Sequence, residues 1–480
     1  MALNITVETL HRFFSYYSFE SMLSLCASNE RSSMPQGDMS VGDGKKFPFP
    51  WELATFAMLA CAQRRYGNVR MQPNEFKEII NYIRKNWLQP SSDYDEAIKK
   101  VSFQIVPEES EYQENGIIRF LRYHWIFSFE KDIFSFPAMI SERFGITAHE
   151  LLHTIFVVLV LRSSDCSLMH FLSELQKRGG GRFSGSIIKV LSVVSKKHDK
   201  FAREQIELIK EHGNDWRQVR NLLWTFPVIR KGKKLYTPLS FLVENALTVR
   251  LLSRITFGHA GLRSDFGKEV LEAYLVELFK KASCYKSVSG EREYSIGKGK
   301  IIKTPDIIVR NDEGILLIDS KASEPSFALR DLSQEKIVGG TQMYGGHVVQ
   351  MFNRIKEFSD GLVDGQAHDR SEMFGIVSVY RDGYFDRQKV FEVAFHKLGV
   401  SETEQRYIRT HITILDIREL EKFCYLGENI FPALKAKAAS DNGYQSVALD
   451  NGTLVAKPLV GWAQDVICRY RETVADFLVR

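Results

Sequence analysis

With 480 residues, 44% of them apolar and 26% charged, the chain has material for roughly two to four packed domains and is neither disordered nor fibrous. Its formal net charge of +5 tolerates a polyanionic partner without demanding one. The six cysteines form no CxxC and no close pair, which argues against a cysteine zinc knuckle and a disulfide-stapled secreted scaffold; a reducing cytoplasm is the expected compartment. The opening MALNITVETLHRFF has no basic segment leading into an apolar run, so no signal peptide is expected. The longest apolar run, 155–161, is far too short to cross a bilayer, and no membrane partner is expected.

In chain order, residues 1–35 read as helical and 36–50 as a Gly- and Pro-containing linker, together an N-terminal segment 1–50. From 51 to 88 the helical pattern returns, and NEFKEIINYIRKNW places Phe76, Ile79, Ile80 and Ile83 at helical spacing. The β-branched and aromatic stretch 118–131 fits either strands or a buried helix. Residues 147–163 predict a long buried helix, 167–177 another, and 185–220 continue in that style. Residues 51–255 thus read as one mostly α-helical domain, without internal repeats. After Arg250 the pattern changes. Residues 266–280 predict a helix with Val270, Leu271, Tyr274, Leu275, Leu278 and Phe279 as its apolar set. TPDIIVR and GILLIDSKA then predict two strands joined by a short turn at 310–313. A helix over 341–358 and strands at 374–380 and 410–417 follow. This order predicts an α/β sandwich over 256–420. Residues 421–480 form a C-terminal extension of two helices around a Gly/Asp turn region, expected to pack on that core.

Asp319 and Lys321 are two apart, so they point to the same side of their strand. Ile315, Leu316, Leu317 and Ile318 run straight into them, the mark of a strand buried on both faces with polar groups only at its end. Charges there are costly unless a metal or an anionic substrate offsets them. The hairpin register can bring Asp306 beside Asp319. Two neighbouring carboxylates repel, and a shared proton or a divalent cation relieves this. An oxygen-rich site suits Mg²⁺ or Mn²⁺. Such a cation polarises a phosphate and helps make hydroxide from water. Lys321 can orient the attacking water or stabilise developing negative charge. A third acid is to be sought on the preceding helix, among Glu269, Glu272 and Glu277.

Pro305–Asp306, twelve intervening residues, then Asp319–Ser320–Lys321 resemble the signature of the PD-(D/E)XK nuclease superfamily. The resemblance covers about 260–380 and implies a restriction-endonuclease-like core: a helix, a hairpin-bearing mixed sheet and a further helix. In the branch that includes Mrr-type restriction enzymes the first helix often reads G..FE.Y. GKEVLEAY at 267–274 is similar, with Leu271 in place of the Phe, and Glu272 matches that Glu, so the resemblance implies Glu272 as the third acid while the residues alone leave Glu269 and Glu277 open. The resemblance implies catalysis by Asp306, Asp319, Lys321 and Glu272, with metal held by the three carboxylates and the Ser320 backbone carbonyl. Thr341–Gln342–Met343–Tyr344 resembles the Gln and Tyr that RecB-like members carry on the helix after the Lys strand, at shorter spacing. It implies substrate contacts by Gln342 and Tyr344.

HELLH at 149–153 matches the His–Glu–x–x–His pattern of zinc proteases. The plainer reading is structural: Thr147 and Glu150 make a capping box for a core helix, and no third-ligand extension follows. Lys177, Arg178, Arg182, Lys189, Lys196, Lys197 and Lys200, against the single acid Asp199, can track a phosphate backbone or simply form a solvated face. Arg230, Lys231, Lys233 and Lys234 make a second patch. Lys298, Lys300 and Lys303, just before the Asp306 strand, are candidate substrate contacts by proximity. His347 and His368 are candidate accessory groups. No Walker motif is present.

The expected function is a divalent-metal-dependent deoxyribonuclease, an endonuclease by preference, with a helical N-terminal domain for recognition, regulation or partner binding. That architecture resembles bacterial restriction and phage-defence effectors, which implies DNA as the substrate and a further subunit of such a system; a homodimer would allow paired cuts. The alternatives are a ribonuclease with the same centre, a non-catalytic nucleic-acid-binding or structural subunit, and a zinc protease acting through His149, Glu150 and His153.

Overall fold

The computed structural model describes residues 7–30, 48–87, 99, 102–103, 106–131, 134–164, 167–178, 182–212, 219–256, 261–296, 300–324, 333–440, 443, 447–449 and 457–479. By its internal contacts the chain divides into two units, Met1–Gly258 with Cys468–Arg480, and His259–Ile467.

The first unit is rich in helices. Its core gathers Phe14, Met22 and Leu23 with Leu53, Phe56, Ile80 and Leu223. The helix Pro50–Cys61 is buried on every side, which is why its sequence shows no amphipathic stripe. The stretch 118–131 resolves as the helix Gly116–Phe127 followed by a two-residue strand, Glu130–Lys131. Asn115 sets the start: its side chain accepts from the Ile117 N–H at 3.0 Å and the Ile118 N–H at 3.3 Å, so a local cap outweighs the β propensity of the aromatic run. A three-stranded sheet of Ser195–Lys197, Val228–Lys231 and Lys234–Tyr236 interrupts the helices. Strands this short leave no alternating pattern to read in the sequence.

The second unit is built on a five-stranded mixed sheet. A π-helical turn, Phe266–Leu271, runs into helix α1 (Glu272–Lys281) and then β1 (Ser287–Gly290). A separate hairpin of β2 (Glu293–Ile296) and β3 (Lys300–Lys303) precedes β4 (Ile307–Asn311) and β5 (Gly314–Lys321). Helix α2 (Gln334–Ser359) leads to β6 (Met373–Val379), and β7 (Ile412–Asp416) forms one edge of the sheet. The strand order is β7-β6-β5-β4-β1. The pairs β1–β4 and β4–β5 are antiparallel, while β5–β6 and β6–β7 are parallel. A parallel pair cannot be joined by a tight turn, and α2 supplies the crossover from β5 to β6. Gly314 opens β5 at φ 143°, where a Cβ would lie 2.2 Å from the Glu372 carbonyl oxygen, so the turn admits glycine alone. Ile315, Leu316, Leu317 and Ile318 are all buried, as the apolar run predicts. The architecture is therefore mixed α/β, comprising a helix-rich region and a central mixed sheet.

Candidate active site

Ile307 of β4 pairs with Ile318 of β5. One step further along this ladder sets Asp306 beside Asp319. Both are buried, 9% and 5% exposed. Asp306 Oδ2 accepts from the Ser320 N–H at 2.6 Å and from the Ser320 hydroxyl at 2.8 Å, so the strand that carries Asp319 also holds Asp306. Lys321 Nζ lies 2.5 Å from Asp319 Oδ2. These groups stand at the carboxyl end of β5, the end at which open α/β sheets bind ligands. There the strand opens onto a cleft of about 520 Å³, whose lining includes Ser320, Lys321, Glu272, Glu291, Lys303 and His347.

Glu272 reaches this cleft from the first residue of α1. The π-helical turn directly before it carries a wider hydrogen-bonded loop than an α-helix, which changes the face that the following side chains present. Gly267 in that turn permits close approach to the strand end, because a Cβ there would meet Ala322 Cβ at 3.0 Å. Tyr274 is buried and donates to Glu421 Oε1 at 2.6 Å, anchoring α1 from behind. Burial pushes the Glu272 carboxyl up to about 8, reinforced by Asp306, Glu291 and Asp319 and opposed by Lys303. Asp306 is pushed up to about 6, by burial and by Asp319, against the Ser320 hydrogen bonds and Lys321. The carboxyls crowded at this strand end therefore hold on to their protons, while Arg263, Lys268, Lys303 and Lys321 bring cations to the cleft lining. His347, half-buried on α2, is driven down to about 4, first by burial and then by Lys321, and is neutral at physiological pH.

Of the expected site residues, Glu272, Ser320, Lys321 and Lys303 line the cleft. Lys303 pairs with Glu291 at 2.6 Å. Among the other acids of the first helix, Glu277 pairs with Lys281 at 2.6 Å and Glu269 is not part of the lining. Gln342 is exposed and also outside the lining. Tyr344 is buried, and its hydroxyl accepts from the Gly383 N–H at 3.2 Å. The α2 residue that does reach the cleft is His347, three positions further on. Lys298 lies outside the described residues, as does the side chain of Lys300, whose backbone belongs to β3. Glu291, Arg263 and Lys268 line the cleft without any local sequence signal. Only the folding of α1 and the β2–β3 hairpin around β4 and β5 brings them there.

At the HELLH stretch the capping box forms: Thr147 N–H donates to Glu150 Oε2 at 2.8 Å and Glu150 N–H to Thr147 Oγ1 at 3.1 Å. Ser186 donates to Glu150 Oε1 at 3.1 Å, His153 Nδ1 lies 2.9 Å from the His149 carbonyl, and the His153 ring packs 4.7 Å from that of Tyr470. These side chains serve packing and capping. Glu150→Ala is expected to lower stability by about 1 kcal/mol, read in a thermal melt, and to leave any nuclease activity unchanged; lost activity with an unshifted melt would overturn the structural role. Among the described residues no three or more His, Cys, Asp or Glu side chains are grouped as a ready-made metal site. The basic patches of the first unit are partly neutralised internally. Lys196 pairs with Glu204, Lys234 with Glu20 at 3.2 Å, and the Lys231 ammonium lies over the rings of Tyr66 at 4.3 Å and Phe19 at 4.8 Å.

No protein-family model, curated protein or solved structure matches the chain.

Proposed function

We propose that the second unit is a divalent-metal-dependent deoxyribonuclease of the PD-(D/E)XK kind, acting as an endonuclease. The observation that carries this reading is the β4–β5 register, which sets Asp306 beside Asp319, both buried, at the strand end whose Ser320 and Lys321 line the cleft. An antiparallel hairpin continued through a helix into a parallel strand agrees with the restriction-endonuclease-like core that the resemblance implies. Glu272 in the cleft supports it further.

The donor set fits a hard cation in kind. The carboxyls of Asp306 and Glu272 are raised by burial and by their acidic neighbours, so the metal-free site keeps protons that a bound cation would displace. Mg²⁺ commonly takes only one or two protein carboxylates and completes its shell with water and substrate phosphate. Asp306, Asp319, Glu272 and the Ser320 carbonyl would hold Mg²⁺ or Mn²⁺, which would supply Lewis acidity and a more acidic bound water. Around it, the chain's own groups have defined tasks. The two Ser320 donors fix the Asp306 carboxylate. The Lys321 ammonium orients the attacking water and faces the charge that grows on the phosphoryl oxygens. The first unit would serve recognition, regulation or binding of a partner subunit. A role in bacterial restriction or phage defence, in the cytoplasm, rests on the resemblance of the whole architecture to such effectors, and a homodimer would permit paired cuts. A ribonuclease would use the same centre.

A non-catalytic nucleic-acid-binding subunit is the second reading. It is favoured by the absence of a ready three-ligand group among the described residues, with Lys321 already offsetting Asp319. Calorimetric titration with Mn²⁺ separates the two. Binding is expected, growing tighter from pH 6 to pH 8.5 as Asp306 and Glu272 lose their protons, and vanishing in Asp319→Asn. Equal binding by that variant, or none by either protein, favours the binding subunit.

A further inference from the structure

Arg263 and Lys268 line the cleft that Lys321 also lines, and the chemistry proposed above employs neither. Arg263 is held on several sides. Its Nε donates to the carbonyl of Ala322, the residue directly after Lys321, at 2.9 Å. Its guanidinium lies over the rings of Phe266 at 5.3 Å and Tyr380 at 5.4 Å. Its Nη2 stands 3.1 Å from Glu324 Oε1. These contacts use Nε and Nη2 and leave Nη1 outside them, on a side chain still 27% exposed. Lys268 follows in the π-helical turn, exposed, on the same cleft. A purely structural staple between strand end and helix would need only Nε and the stacked face. It would not need a second cation beside it on the cleft wall.

We propose that Arg263 and Lys268 form a clamp for a non-scissile phosphate of a nucleic-acid backbone, beside the end of β5. The proposal rests on the nuclease reading of this cleft and names the group that would position its substrate. The Nη1 amino group can donate to a phosphate oxygen from a fixed, planar cation, while the Lys268 ammonium adds a point charge. Because ring contacts and a backbone carbonyl already fix Arg263, little side-chain freedom is left to lose on binding. Contacts of this kind set register and orientation and carry no sequence information.

The test measures binding apart from cutting. Anisotropy of a fluorescent DNA duplex is followed with the full chain in EDTA, over a series of KCl concentrations. Arg263→Gln and Lys268→Gln are each expected to weaken binding about tenfold and to reduce the slope of log affinity against log salt by about 1. Arg263→Lys is expected to keep the slope and recover only part of the affinity, since the charge remains and the stacked, pre-positioned guanidinium is lost. In Mg²⁺, Arg263→Gln should raise KM with kcat close to wild type. Lys268 is exposed, so its variant keeps the test valid if Arg263→Gln folds poorly. Unchanged affinity and slope in both Gln variants, or no binding by the wild-type chain, overturns the clamp. Metal-dependent cutting that persists in that case leaves the nuclease reading standing, and its absence removes both.

Discussion

Lys321→Ala and Asp319→Asn are both expected to cut DNA at least about 10³-fold more slowly than the wild-type chain, but only the first is expected to lose stability. On the proposed reading, activity falls in each because the first removes the ammonium that would face the reacting phosphate and the second a buried carboxylate of the pair that would hold the metal. Stability diverges because the two groups are ion-paired at 2.5 Å in unequal surroundings, Lys321 22% and Asp319 7% exposed by side chain. Taking away the lysine leaves a buried carboxylate without its partner, at a cost of about 1–2 kcal/mol once the partial exposure of the lysine is allowed for. Taking away the Asp319 charge relieves repulsion on Asp306 and Glu272, so the melting temperature should hold or rise. Rates and melts measured together decide the matter. If lost activity merely follows lost stability, the two residues are structural.

Asp306→Asn is expected to make the metal-free protein more stable at neutral pH and no more stable at pH 4. In the folded chain the Asp306 carboxyl titrates near 6 against an ordinary value of 3.8, and Glu272 near 8 against 4.5. Both keep their protons longer when folded than when unfolded. Between about pH 4 and pH 8 the folded state thus binds more protons, and stability falls as pH rises through that window. Asparagine can still accept from the Ser320 donors and carries no charge, so it abolishes the Asp306 share of this loss. The gain at pH 7.5 should be about 1–2 kcal/mol, a few degrees in the melting temperature. Added Mg²⁺ should stabilise the wild-type protein at that pH and leave the variant nearly unmoved. Melting curves that run parallel from pH 4 to pH 8 would contradict the strained carboxylate pair.

The parts of the site that are legible in the sequence are those set by local rules. Four apolar residues running into Asp319 announce a buried strand with a polar end, and Gly314 after a polar turn announces the hairpin whose register sets Asp306 beside it. Glu272 stands out only through a resemblance in its helix; periodicity alone leaves Glu269 and Glu277 beside it. A 3.6-residue reading does not see the π-helical turn that precedes it. Gln342 and Tyr344 illustrate the limit on α2, since the face that meets the cleft depends on how the helix crosses the sheet. That crossing buries Tyr344 and presents His347. Glu291 and Arg263 come from a turn and a short helix whose sequences carry no mark of a site. In the first unit, Asn115 shows a single cap deciding between helix and strand where composition alone left both open.

The most direct measurement is cleavage by the full chain of supercoiled plasmid, linear duplex, single-stranded DNA and RNA, each in Mg²⁺, Mn²⁺ and EDTA. Plasmid DNA nicked or linearised in either metal and untouched in EDTA is the expected result. Cutting of RNA alone would keep the centre and overturn the DNA assignment, and four intact substrates in both metals would contradict a nuclease.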